Sequence, residues 1–79
     1  MAPKSAEARR GEADRIAAQL DDVGVPEDAL RDMKAELERF AAQGLGCTRT
    51  WKFPEVGAAV SLLLSTQAHI TSYARVHRA

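Results

Sequence analysis

One cysteine, two histidines and eleven carboxylates are the groups in this 79-residue chain that offer nucleophilic, acid–base or metal chemistry. Their spacing argues against all three. Cys47 acts as a nucleophile only with a base beside it, and His69 and His77 lie well downstream with no evident oxyanion hole. The histidines are eight residues apart rather than four. No cysteine or carboxylate stands at ligand spacing from them, so neither a metal nor another cofactor is expected. Gly44-Leu45-Gly46 lacks the spacing of a phosphate loop and the Lys-Ser/Thr that follows one. The paired carboxylates fall on polar surface positions rather than in a predicted pocket. The expectation is a protein that binds rather than one that catalyses.

Two groups of residues are candidates for binding a partner. Asp28, Asp32 and Glu36 recur every four residues, with Asp21 and Asp22 just before and Glu27 adjoining. On a helix, like charges at that spacing cost about 0.2–0.5 kcal/mol per pair. A row retained at such a cost suits a basic partner, including a nucleic-acid groove that it would occlude. The plainer reading is a solvated face, with Arg31 and Arg39 three residues beyond Asp28 and Glu36 to offset the repulsion. The second group, Arg49, Trp51 and Lys52, puts positive charge beside an aromatic and next to Phe53, a mixture that meets phosphates and bases. With four aromatics in the chain, Trp51 and Phe53 are equally wanted as a core plug. Tyr73, Arg75, His77 and Arg78 form a smaller basic cluster near the C-terminus.

The elements that carry these residues follow from length and pattern. The chain is expected to fold as one helical domain over 1–79, with 1–10 frayed because little before Gly11 has anything to bury. Cys47 cannot form an intrachain disulfide, and a single free thiol fits the reducing cytoplasm. The first residues have no apolar segment of the secretory kind. Charge is polarised. Residues 1–43 carry seven Lys/Arg against ten Asp/Glu, and residues 44–79 carry four against one. Such polarity orients self-association or a charged partner.

Three helices are predicted. The first runs from about Ser5 to Val23, with Ile16, Leu20 and Val23 on its apolar stripe. Gly24-Val25-Pro26 separates it from a second that ends at about Gln43, where Gly44 and Gly46 stop it. That helix has a clean apolar face of Leu30, Met33, Leu37, Phe40 and Ala41. Cys47–Phe53 is β-prone but has no partner strand in this reading, so it is assigned to a loop.

Pro54 and Glu55 open the third helix, expected to run to about Arg78. At 1.5 Å per residue it would be about 37 Å long, against about 25 Å for the others. From Val56 to Ala74 it carries no Asp, Glu, Lys or Arg. A seam of Val56, Val60, Leu63, Gln67, Ile70, Ala74 and His77 faces the other helices in this reading. The opposite side is a stripe of small residues, Ala58, Ser61, Ser65, Ala68 and Ser72, which would admit a second backbone. Its serines, threonines, glutamine and histidine are too polar for a membrane span.

The fold expected is therefore all-α, a small three-helix bundle with a long central C-terminal helix and dimerisation through it. The function expected is a non-enzymatic regulator or inhibitor that docks on another protein or complex. The alternative is a small nucleic-acid-binding regulator using Arg49, Trp51, Lys52, Arg75 and Arg78. A helix-turn-helix reader is disfavoured, because an uncharged third helix has nothing to offer a major groove. Base rates for short chains with acidic helices add a phage or mobile-element inhibitor of a nucleic-acid-binding defence complex, of the anti-CRISPR kind.

Overall fold

The Ser5 hydroxyl accepts from the Ala8 amide at 3.1 Å and starts the first helix, α1, Ala6–Val23. Gly24, at φ 81°, ends it. Val25 and Pro26 then turn the chain into α2, Glu27–Gln43, whose first turn holds Glu27 and Asp28 at the positive end of the dipole. Gly44, at φ 69°, closes α2 by donating to the carbonyls of Arg39 and Phe40. The Arg9 guanidinium reaches from α1 to the carbonyls of Phe40 and Ala41, adding positive charge at that end. The structure, a computed structural model, describes residues 2–78. Met1, in the N-terminal segment expected to fray, and Ala79, the last residue of the expected 1–79 domain, lie outside the described residues.

The second half of the chain is a sheet, not a helix. Strands β1 (Cys47–Phe53), β2 (Ala58–Leu64) and β3 (Tyr73–Arg78) form an antiparallel meander in the order β1-β2-β3. A single 3-10 turn, Pro54–Val56, and Gly57 at φ 62° join the first two strands. The expected all-α bundle is thus overturned: the fold is α+β, a helical hairpin packed on one face of a three-stranded sheet. The physical reason is a period. Val60, Leu62 and Leu64 are buried and alternate with half-exposed Ala59, Ser61 and Leu63, the two-residue repeat of a half-buried strand. The predicted seam mixes the two faces, with Val60 and Ala74 inward and Leu63 and His77 outward, while Gln67 and Ile70 lie in the β2–β3 loop. Cys47–Phe53 pairs along its whole length with β2, from Cys47 with Leu64 to Phe53 with Ala58. The partner strand of β1 is the segment expected to form the start of the third helix.

The core lies between the layers. Ile16 and Leu20 of α1, Met33, Leu37 and Phe40 of α2, and Val60, Leu62 and Leu64 of β2 are essentially closed to solvent. Each is worth about 1.5–3 kcal/mol on burial. Trp51 and Ala74 complete the cluster from the flanking strands. Four of the five residues named on the α2 face are buried, and Leu30 packs at the margin.

The N-terminal residues are held down by polar bonds rather than apolar ones. Lys4 donates its amide to Thr66 O at 2.7 Å, and Ala68 donates to Ala2 O at 3.1 Å. The Lys4 side chain is buried, with its ammonium on Glu12 Oε1 at 2.7 Å, Ser65 O at 2.6 Å and Ser72 Oγ at 3.3 Å. Apolar content, the basis for expecting fraying, does not describe what fastens this segment.

Candidate functional site

The acidic row lies along α2, and its charges have partners within the chain. Arg49 of β1 reaches Glu36 at 3.3 Å and Asp32 at 3.9 Å, and Arg39 reaches Glu36 at 2.6 Å. Arg31 lies near Glu27 and Asp28, and Lys34 binds Asp21 at 2.8 Å. Hydrogen bonds from Arg39 above all, helped by Arg49, hold the Glu36 carboxyl below its ordinary value against the opposing effect of burial. Asp22 is exposed near the end of α1. A basic partner landing on this row has to displace arginines already in place.

The Arg49, Trp51 and Lys52 group is split by the strand. Odd-numbered β1 residues face the helices. Trp51 joins the core, and the Arg49 guanidinium stacks over its ring at 4.4 Å. The Trp51 indole N–H is buried without a hydrogen-bond partner among the described residues. Lys52 alone of the three points away from the helices. Cys47, at the start of the strand, is half-buried. Burial, reinforced by the charge of Glu36, pushes its thiol above the usual range, so the protonated form prevails near neutral pH.

The proposed helical stripe of small residues does not exist as a face. Ala58 and Ser61 lie in β2, Ser65 and Ala68 in the following loop, and Ser72 is fully buried against Lys4 and Glu12. Burial alone would raise the Glu12 carboxyl. Hydrogen bonds from Lys4 and Ser72 outweigh it and hold the group below its ordinary value. All three ammonium protons of Lys4 are engaged there, which leaves this cluster no donor to offer a ligand.

What the sheet creates instead is an open face, with no helix over it. The pairing aligns three rows across it: Thr48–Leu63–Tyr73, Thr50–Ser61–Arg75 and Lys52–Ala59–His77. No carboxylate stands in any of them. Thr50 Oγ1 and Ser61 Oγ lie 2.7 Å apart, and Ser61 Oγ lies 3.1 Å from His77 Nε2, so the central serine joins the two outer strands. The Arg75 guanidinium sits 5.2 Å from the centre of the exposed Tyr73 ring. Beside the third row, a shallow depression of about 420 Å³ is lined by Lys52, His77 and Arg78 over the small residues Gly57, Ala58 and Ala59.

With three strands about 4.8 Å apart and about 3.3 Å per residue, the face measures roughly 10 by 20 Å. It presents hydroxyls, one aromatic, two permanent cations and an imidazole, with half-exposed Ala59 and Leu63 on the central strand. The Ser61–His77 pair stands on exposed surface. Lys52, Tyr73, Arg75 and His77 are among the residues expected from sequence to bind, the last three at a helix end, whereas Thr48 and Thr50 are not. Their signal is the alternation Thr48-x-Thr50-x-Lys52 and Tyr73-x-Arg75-x-His77. Among the described residues no three His, Cys, Asp or Glu side chains gather as a metal site, and no helix is long and apolar enough to cross a membrane. Comparison with protein-family models, with curated proteins and with solved structures finds no match to this chain.

Proposed function

We propose that this protein is a non-enzymatic binding module whose open sheet face receives a polyanion, specifically a single strand of nucleic acid. The observation that carries the reading is the composition of that face: Lys52, Arg75 and His77 in adjacent rows, Tyr73 alongside, and no acid among them. Phosphates pair with the cations, and a base stacks on an exposed ring. Protein–protein interfaces are built round an apolar core depleted of charge, whereas nucleic-acid interfaces are polar and positive. The centre of this face is Ser61, bonded to Thr50 and His77. A second copy stacked face to face would set cation against cation, so charge disfavours that occupant.

Fluorescence anisotropy with labelled single-stranded RNA and DNA oligomers tests the proposal. With two permanent cations engaged, Lys52 and Arg75, affinity is expected to fall roughly seven-fold between about 50 and 200 mM salt. Exchange of Lys52 and Arg75 for Glu should abolish binding while the helical circular dichroism is unchanged. No anisotropy change with any oligomer at low salt overturns the reading. Equal binding of polyglutamate would replace a nucleic acid with an acidic protein as the partner.

A further inference from the structure

The two edges of the sheet are treated differently. On β3, Arg15 of α1 donates to Ser72 O at 2.8 Å, Gln19 donates to Ala74 O at 3.2 Å, and Glu12 accepts from the Ser72 amide at 3.2 Å. The outward backbone groups at the start of that edge are thus capped by helix side chains. They also fix which groups point where. If the Ser72 and Ala74 carbonyls face out, Tyr73, Arg75 and His77 bond to β2 through Leu63, Ser61 and Ala59. The even-numbered residues of β2 then face β1. The position of the Leu64 carbonyl agrees, since a Cβ on Gly46 would come within 2.5 Å of it. So Cys47, Arg49, Trp51 and Phe53 bond to β2, and the amides and carbonyls of Thr48, Thr50 and Lys52 point away from the sheet.

Nothing among the described residues caps that second edge. Thr48, Thr50 and Lys52 make no other backbone hydrogen bond, and no helix side chain donates to or accepts from their backbone. The strand is seven residues long, free of proline, and exposed at Thr48, Arg49, Thr50 and Lys52. An edge whose backbone groups are unpaired is a template for another strand, and edge charges are what usually deter it. Strand β1 carries two, of which Arg49 is neutralised by Asp32 and Glu36 of its own chain, leaving Lys52 as the one free charge of the strand among the described residues.

We infer that β1 pairs with β1 of a second copy, antiparallel about a two-fold axis at Thr50, to give one six-stranded sheet. The strand is complementary to itself in that register. All seven residues overlap, with Thr50 opposite the partner's Thr50, Thr48 opposite the partner's Lys52, and Cys47 opposite the partner's Phe53. Arg49 falls opposite the partner's Trp51, the kind of ring it already stacks on in its own chain. Centring on Arg49 or Lys52 instead would set like charges directly opposite, which is unfavourable. Beneath the seam the two α2 helices bring their Asp32 and Glu36 carboxylates together. Each copy supplies its own Arg49 to that seam, with Arg39 also on Glu36. The pairing stands without the polyanion reading. What it adds to that reading is a continuous basic platform about two and a half times as wide, roughly 25 Å across its strands.

Sedimentation equilibrium and amide exchange on the full chain test the pairing. The wild type is expected to dimerise with rising concentration by mass action, and the amides of Thr48, Thr50 and Lys52 to exchange more slowly as it does. Thr50→Val keeps a β-branched residue at the axis and stays dimeric. Thr50→Lys sets two ammonium groups face to face and is monomeric. A wild type that stays monomeric to about 1 mM, a Thr50→Lys as dimeric as wild type, or exchange at the three amides indifferent to concentration overturns the inference. Should Thr50→Lys fail to fold, the wild-type exchange rates decide. Oligonucleotide titration of the same samples separates the two ideas. A monomer that binds the oligomer sinks the pairing alone, and a dimer that does not bind sinks the polyanion reading alone.

Discussion

Ser72 and Ser61 both bond a basic side chain of a distant segment, yet they sit in opposite surroundings. Ser72 is fully buried. Its hydroxyl accepts from the Ser65 amide at 3.0 Å and from Lys4 at 3.3 Å, and its amide donates to Glu12 at 3.2 Å. Ser61 lies on the open face between Thr50 and His77. The buried cluster is closed: each donor has its acceptor, and the arrangement ties the N-terminal segment to the β2–β3 loop. The open row has spare capacity on every member. Polar residues in this chain therefore divide by layer. Those under the sheet hold it together, and those above it are available to a partner.

The largest effect should come from opening the closed cluster. Glu12→Ala leaves the Lys4 ammonium buried with two neutral acceptors. Breaking a buried pair in this way costs on the order of 3 kcal/mol. In a domain of this size that lowers the melting temperature by more than about ten degrees, which a thermal melt or urea titration would read. A loss no greater than that of an exposed charge would show that the cluster is not structural.

Acid should act on the same group. The folded Glu12 carboxyl is held below its ordinary value of 4.5. Its contribution is therefore complete above that value and fades as pH falls through the lower folded one. Wild-type stability should decline across that range. Glu12→Gln, less stable at neutral pH, should show a flatter decline. Parallel curves would contradict the assignment.

The same division explains what was legible in the sequence. The helices were, because their ends are written in residue types: Ser5 before α1, Pro26 before α2, and Gly24 and Gly44 in the left-handed conformation that stops each. The apolar face of α2 is clean enough to read directly. The sheet was not. Val60, Leu62 and Leu64 alternate with Ala59, Ser61 and Leu63, but Leu63 breaks the polar side of the alternation, and an uncharged run satisfies a helical spacing as well. The β2–β3 loop, Ser65 to Ser72, holds neither glycine nor proline to mark a turn. One wrong period then removed the partner from β1. The acidic row was correctly placed on α2, but Arg49 pairs with it from thirteen residues beyond Glu36 across the fold, a distance no local pattern spans. Lys4 and Ser72 are further apart still.

On the open side, Arg75→Ala should leave stability within about 0.5 kcal/mol of wild type, as for other exposed positions. Its effect belongs to binding. One lost phosphate contact lowers the steepness of the salt dependence by about 0.7 for a single strand. Tyr73→Ala should weaken binding by about 1–3 kcal/mol with the slope unchanged, because stacking carries no counterion release. A melting temperature moved as far by Arg75→Ala as by Glu12→Ala would abolish the contrast between the layers.

The smallest effect separates the two layers at a single atom. Ser61→Ala and Ser72→Ala delete the same hydroxyl from two clusters. At the exposed site, Thr50 and His77 exchange the lost partner for water, so the cost should be no more than about 0.5 kcal/mol. At the buried site, the Ser65 amide and one Lys4 proton are left without an acceptor where water is excluded, and the cost rises to about 1–3 kcal/mol. Chemical denaturation of the two variants side by side gives the ratio directly. Equal losses would mean that the outer row is as much a fastening as the inner one, and the open face would then have no claim to be held in reserve for a ligand.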